Sequence, residues 1–150
     1  MNRLQIKIQE VQVNELNQFV TKILIDGTDL IVLLSEFEKP FAKKEGCPDI
    51  AGQYGGLNPR TLYKNLLNLT DNSNSNNNKS DILDCDCGVW GCWAFMTKIE
   101  NVNNKIIWTD FEQLHRGKDS HNHWNYSKFG PFEFNKSEYN SELEKLRNQL

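Results

Sequence analysis

The first third of the chain alternates between strand-like and helix-like patterns of apolar residues. Apolar and polar residues alternate from Leu4 to Ile8 and again after a change of phase at Glu10, which predicts a strand with room for a β-bulge at that point. A second strand is predicted from Phe19 to Ile25, where Asp26-Gly27 forms a turn pair. The N-terminus is therefore expected to form two strands.

Helical spacing follows this turn. Thr28 or Asp29 offers an N-cap, and apolar residues then recur at offsets of three, four and seven up to Phe37. Pro40 is expected to limit this helix, and the Gly- and Pro-rich segment 39–58 to form an ordered surface loop. Further helices are predicted from Pro59 to about Leu69 and, after the capping pair Asn135 and Glu138, along the apolar positions Tyr139, Leu143, Leu146 and Leu150.

Two more strands are predicted in the second half, from Trp93 to Glu100 and from Lys105 to Gln113. They flank an Asn-rich turn, and Asn tolerates the left-handed conformation that tight hairpin turns require. A two-residue turn at Asn103-Asn104 fixes a register in which these residues lie opposite each other: Ile99 and Trp108, Met96 and Phe111, Cys92 and His115.

These elements predict an α+β protein, with strands grouped at both ends of the chain instead of alternating with helices. We expect one globular domain over residues 1–150, consisting of an antiparallel sheet covered by about three helices. Segment 71–80 has no apolar side chain to bury, and it is expected to be a mobile Asn/Ser-rich loop.

Composition narrows the class of protein. The net charge is −3 and charged residues make up 25% of the chain, so there is no basic footprint for nucleic acid and no electrostatic signal for a membrane surface. The N-terminus lacks the pattern of a secretory signal, and the longest clear aliphatic stretch, Leu30 to Leu34, is far too short to cross a membrane. A cytoplasmic protein with reduced thiols is expected.

Several enzyme classes lack their usual sequence motifs in this chain. The chain has no GxxxxGK[ST] phosphate loop, no strand-linked GxGxxG, no HExxH and no GxSxG. Nucleotide-binding, zincin and serine-hydrolase activities therefore have no motif to support them.

Candidate chemistry is concentrated in the block CDCGVWGCW, which starts at Cys85. Cys85 and Cys87 project to one face of an extended chain, and the glycines after them allow Cys92 to turn back. Zinc favours four Cys or His ligands, and the hairpin register offers His115 as the fourth. The candidate metal ligands are thus Cys85, Cys87, Cys92 and His115, and nothing local fixes the positions of the further candidates Cys47, His121 and His123.

Two other interpretations of the cysteines stay open. The thiols fit small reduced side chains beside a Trp-rich core, since free cysteine packs as a small hydrophobe. A reactive cysteine is the other interpretation, but Asp84 and Asp86 flank Cys85, and their negative charge disfavours a thiolate. The same flanking charge suits a bound cation.

The chain also resembles a family of uncharacterised bacterial proteins. The resemblance runs from Ile25 to Tyr139, and the family has no established activity, substrate or cofactor. It implies that the cysteine block and His115-Arg116 belong to one fold, and the Asn-rich stretch 71–80 departs from the family pattern. The matching pieces are DGxDL at 26–30, PFA at 40–42, PDIAG at 48–52, the CDCGVWGCW block, WxxFxxxHR at 108–116 and YSxxGPFxF at 126–134.

Two function classes follow. The first is a non-enzymatic cytoplasmic binding or accessory protein with an unidentified protein or small-molecule partner, and a structural Cys/His zinc site is compatible with it. The second is an enzyme whose pocket is lined by the cysteines, with Arg116 holding an anionic group and His115 acting as general base. The candidate binding residues in either class are His115, Arg116 and Trp93.

Overall fold

The computed structural model describes residues 1–67, 79–85, 94–113 and 123–150. Within them the chain forms two antiparallel sheets and three α-helices, which confirms the predicted α+β class. The elements are β1 (Leu4–Val13), β2 (Leu16–Ile25), β3 (Thr28–Asp29), α1 (Leu30–Lys44), β4 (Tyr54–Gly56), α2 (Pro59–Leu67), β5 (Lys79–Cys85), β6 (Phe95–Val102), β7 (Lys105–Gln113), β8 (Phe132–Asn135) and α3 (Lys136–Arg147).

The strands are divided between a three-stranded and a five-stranded sheet. The first has the order β1-β2-β3, and the second has the order β4-β5-β6-β7-β8. The two sheets meet where β2 passes β4. There the Thr21 backbone N–H of β2 donates to the carbonyl oxygen of Leu57, the residue after β4, at 2.9 Å. A Cβ added to Gly56 would lie 1.8 Å from the Thr21 carbonyl oxygen, so only glycine allows this approach.

The β1-β2 hairpin is longer and more regular than its sequence pattern predicts. Strand pairing runs unbroken from Leu4 opposite Ile25 to Val13 opposite Leu16, so the expected bulge at Glu10 is absent. The change of apolar phase at Glu10 falls where the hairpin leaves the core, and residues there no longer need a buried face. The turn at Asp26-Gly27 is confirmed, with positive φ at both residues.

Helix α1 corrects the expectation that Pro40 limits it. The helix begins at the predicted N-cap Asp29, whose carboxylate accepts the Ile31 N–H at 2.9 Å, and it continues through Pro40 to Lys44. Pro40 and Glu36 are both exposed, so the Glu36 carbonyl left without a helical partner lies on the water side. Segment 39–58 is accordingly not one loop: the helix, a 3-10 turn at Pro48–Ile50 and β4 occupy much of it.

The other helices agree with the sequence pattern. Helix α2 begins at Pro59 and buries Leu62 and Leu66, while Leu69 lies outside the described residues. Helix α3 has Asn135 as its N-cap, with the side chain accepting the Glu138 N–H at 3.1 Å. No helix among the described ranges is long and apolar enough to cross a membrane.

The β6-β7 hairpin has the predicted two-residue turn but not the whole predicted register. Ile99 lies opposite Trp108 as expected, whereas Met96 lies opposite Glu112 instead of Phe111. A bulge causes the one-residue shift, because Asp110 has φ of +51° and an extra residue of β7 fits opposite Thr97. The pairing of Cys92 with His115 was extrapolated from the unshifted register, and both residues lie outside the described ranges.

Aromatic residues dominate the core. Trp108 is fully buried, and its indole N–H donates to the Tyr139 hydroxyl at 3.1 Å. Trp124 is also buried, which confirms both as core residues, while Trp90 and Trp93 lie outside the described ranges. The predicted Asn/Ser-rich loop falls mostly outside them too, but its last two residues, Lys79 and Ser80, belong to β5.

Candidate functional site

Most of the predicted site lies beyond the described residues. Cys85 is the exception: it ends β5, is half-buried, and lies opposite Tyr54 of β4. The other predicted site residues fall in segments 86–93 and 114–122, which the structure does not describe; these are Cys87, Cys92, Trp93, His115 and Arg116.

The strand ends that lead into these two segments lie side by side. Phe95 at the start of β6 pairs with Leu83 of β5 on one side and with Gln113 of β7 on the other. The cysteine block follows Cys85, and His115 follows Gln113 by two residues. The topology therefore starts both candidate segments from the same edge of the five-stranded sheet.

A buried carboxylate that sequence reasoning missed lies at this edge. Glu38 of α1 is fully buried, and its Oε2 accepts hydrogen bonds from the hydroxyls of Tyr54 at 2.5 Å and Tyr126 at 2.6 Å. Its Oε1 accepts the Gly52 backbone N–H at 2.9 Å. Hydroxyl hydrogen bonds this short are typical of an ionised acceptor. Donors of this kind help to stabilise a charged carboxylate in an apolar interior.

Helical spacing explains why Glu38 points inward. The buried residues of α1 recur every four positions, and Glu38 stands between Leu34 and Ala42 in this stripe. A charged residue in an apolar stripe is the sequence signal that identifies such a site. The pattern contains no information on Tyr54 and Tyr126, which lie 16 and 88 residues away along the chain.

The two tyrosines remain protonated donors. Burial raises the pKa of Tyr54 far above its usual 10.0, and the charge of Glu38 raises it further. Burial likewise raises the pKa of Tyr126, with Tyr54 and Glu38 adding to the shift. Aromatic rings pack around these hydroxyls, with the Phe95 ring centroid 5.5 Å from that of Tyr54 and 5.4 Å from that of Tyr126.

Gln113 completes this cluster at the end of β7. Its side chain is fully buried, and neither amide atom makes a hydrogen bond to the described part of the chain. The Gln113 amide lies close to the Tyr54 hydroxyl and lowers its pKa, although the two groups do not form a hydrogen bond. Burial raises the same pKa by a larger amount.

A groove opens on the other side of Tyr54. It has a volume of about 780 Å³, within the range of ligand-binding clefts, and it follows the outer edge of β2. We call it the β2 groove. Its described lining residues are Gln9, Val11, Gln12, Asn17, Gln18, Phe19, Val20, Ile31, Tyr54, Gly55, Gly56, Leu57, Asn58, Thr61, Asp84 and Cys85.

Negative charge marks one end of the β2 groove. Of the described residues that line it, Asp84 alone is charged. Its carboxylate accepts the Cys85 backbone N–H at 2.9 Å. The pKa of nearby Asp81 is raised by burial and by the charge of Asp84. A positively charged group is therefore favoured at this end.

The weaker candidates are separated from this arrangement or undescribed. Cys47 is exposed in the loop after α1, and His123 borders a different hollow of about 530 Å³ beside Trp124. His121 lies outside the described ranges. Within those ranges no three Cys, His, Asp or Glu residues are grouped to hold a metal ion.

Comparison with protein-family models, with curated proteins and with solved structures gives no match. The resemblance drawn from the sequence motifs therefore stays a prediction, and function has to be argued from the molecule itself.

Proposed function

We propose that this chain is a non-enzymatic binding protein and that the β2 groove holds a partner protein. The composition of the groove wall carries the proposal. Amide side chains, apolar side chains and a length of strand edge line the groove, together with the single carboxylate of Asp84. Protein-binding surfaces combine apolar contact area with hydrogen-bonding groups in this manner.

The placement of the titratable groups supports binding over catalysis. Tyr54 lines the groove, but its hydroxyl donates inward to Glu38. Glu38 is fully buried and already accepts three hydrogen bonds from the described chain. A general acid or base has to reach the proton that it transfers, and this carboxylate instead holds α1, β4 and the segment around Tyr126 together.

Site-specific photo-crosslinking tests the proposal. A photoreactive amino acid at Gln18 faces the groove, whereas the same amino acid at the exposed Ser141 of α3, which does not line the groove, is a matched control. In the cells that make the protein, we expect a discrete protein adduct from position 18 and none from position 141. Equal adducts from both positions, or none from position 18, would contradict the proposal.

A Cys/His zinc site beside the groove is a second candidate. It is supported by the adjacent ends of β5, β6 and β7, from which the segments bearing Cys87, Cys92 and His115 start, and by Cys85 at the end of β5. In this proposal zinc stabilises that sheet edge, and the cytoplasm keeps the thiols reduced.

Elemental analysis tests the zinc proposal with protein purified without a metal-affinity tag. Stoichiometric zinc that is lost in Cys92→Ser supports it, whereas folded, metal-free wild-type protein contradicts it. Alkylation of the native thiols tests the enzyme alternative with Arg116 and His115. A thiol that reacts much faster than the others favours that alternative, and uniformly slow reaction contradicts a reactive cysteine.

A further inference from the structure

The outer edge of β2 has a fixed hydrogen-bonding phase. Two-residue turns at both ends of β2 pair Leu16 with Val13 and Ile25 with Thr28. Backbone groups of successive strand residues point to opposite sides, so even-numbered residues of β2 bond to β1 and odd-numbered residues point outward. The outward N–H of Thr21, bonded to Leu57, has the phase that this alternation requires.

Beyond Thr21 no residue that the structure describes pairs with this outward edge. The N–H and C=O groups of Asn17 and Phe19 point into the β2 groove, and no described backbone or side-chain group bonds to them. Both residues are exposed. Proteins usually block such an edge with lysine, proline, a bulge or a covering segment, yet β2 reads LNQFV here and its pairing to β1 is regular.

The side chains along the edge add apolar contact area. Phe19 is 56% exposed, and it lies on the same face of β2 as the buried Thr21 and Ile23. Phe19 therefore extends the apolar surface of this face by one ring beyond the core.

Charge selects among the occupants that an open edge accepts. From residue 9 to residue 20 the charged residues of the hairpin are Glu10 and Glu15, and Glu10 lies directly opposite Phe19. Asp84, the one carboxylate among the described residues of the groove wall, is a third negative charge nearby. A second copy of this chain would bring further carboxylates to this negatively charged surface, whereas a segment with Lys or Arg would be attracted.

We infer that the partner binds by β-strand addition: an extended segment with at least one basic residue pairs with the outward backbone groups of Asn17 and Phe19. This rests on the proposed function, because it names what the β2 groove holds. The new strand continues the edge that β3 and Leu57 already occupy further along β2.

Peptide selection on the full chain tests the inference. A display library of random dodecapeptides is selected on the wild-type protein, and binding of the enriched peptides is measured in three variants. Phe19→Pro removes the outward N–H and leaves the bonds to β1 intact, since those belong to even-numbered residues. Phe19→Ala keeps the N–H and removes only the ring, and Asp84→Asn removes the groove's carboxylate.

We expect peptides with alternating apolar residues and a Lys or Arg. Phe19→Pro should weaken their binding about tenfold or more, Phe19→Ala should weaken it less, and Asp84→Asn should reduce its dependence on salt. Thermal unfolding shows whether Phe19→Pro is folded. If it is not, slowed amide exchange at Asn17 and Phe19 in the wild-type complex provides the same test.

The possible failures separate the two proposals. Peptides that bind Phe19→Pro like the wild type but are lost when Thr61→Arg fills the groove would overturn strand addition and leave groove binding standing. A dimer of the wild type that Phe19→Pro dissolves would overturn the inference in favour of a second copy. If no peptide is enriched and position 18 gives no crosslink, both proposals fail.

Discussion

Glu38 occupies a position in α1 where helical spacing calls for a leucine or alanine. Its carboxylate is instead the common acceptor for the Tyr54 and Tyr126 hydroxyls. Buried hydrogen-bonded groups contribute most through what their removal leaves unsatisfied. This one side chain thus joins three segments that are far apart in the sequence: α1, β4 and the segment around Tyr126.

Replacing Glu38 by Gln should therefore destabilise the protein. The glutamine side chain keeps the shape of glutamate but has a donor NH2 group in place of one acceptor oxygen. The two tyrosine hydroxyls and the Gly52 N–H must then share the one acceptor oxygen that is left. We expect the free energy of unfolding to fall by about 1–3 kcal/mol in urea titrations. Glu36→Gln, on the exposed face of the same helix, should change it by less than about 0.5 kcal/mol. Equal effects in both variants would contradict the role of Glu38.

The buried tyrosines make stability sensitive to alkaline pH. Burial raises the pKa values of Tyr54, Tyr126 and Tyr139 above the value of 10.0 expected in the unfolded chain. Their contribution to the free energy of unfolding is complete at pH values below this pKa and is lost as pH rises above it. The reason is that the unfolded chain then releases protons that the folded chain retains. In this alkaline range each such tyrosine should make the free energy of unfolding fall by about a further 1.4 kcal/mol per pH unit.

Urea titrations at a series of alkaline pH values measure this dependence. In Tyr126→Phe the free energy of unfolding should fall less steeply with pH than in the wild type, since the variant lacks one phenol proton that the folded chain retains. Tyr63→Phe in α2 is the control, because it removes a phenol outside the Glu38 cluster. An unchanged slope in Tyr126→Phe would contradict the proposed environment of this hydroxyl.

At the scale of elements, local sequence predicted where most helices and strands lie but not how they are interrupted. Pro40 and Asp110 show why. The effect of Pro40 depends on whether the carbonyl that it leaves unbonded meets water, and the bulge at Asp110 depends on how β7 fits against β6. Both are decided by tertiary surroundings that a single sequence pattern does not contain.

Gly56 offers a test of how the two sheets join. In Gly56→Ala the new Cβ meets the Thr21 carbonyl oxygen, which is backbone and cannot turn aside, so β2 and β4 must separate. Unfolding free energy should fall by about 3 kcal/mol or more. Gly27→Ala serves as the comparison: its Cβ meets nothing within 4 Å, and only its φ of +84° is unfavourable, at about 1 kcal/mol. A smaller loss in Gly56→Ala than in Gly27→Ala would contradict the close packing.

At the scale of the whole molecule, the α+β class could be predicted because apolar periodicity is a local property. The candidate site could not. Glu38, Tyr54 and Tyr126 meet only in the folded chain, and the outward edge of β2 is recognised only from the described residues around it, which leave Asn17 and Phe19 unbonded on that side. The predicted cysteine and histidine site remains a prediction, with Cys85 alone placed by the structure at the sheet edge.

The binding function proposed for the molecule depends on β2 having a free edge in the unbound protein. Residue-resolved amide hydrogen exchange by NMR measures this directly, because N–H groups bonded to β1 and N–H groups facing the groove belong to alternate residues. The amides of Asn17 and Phe19 should exchange rapidly and those of Gln18 and Val20 slowly. Similar exchange at all four positions would contradict the free edge, whether all were protected or none.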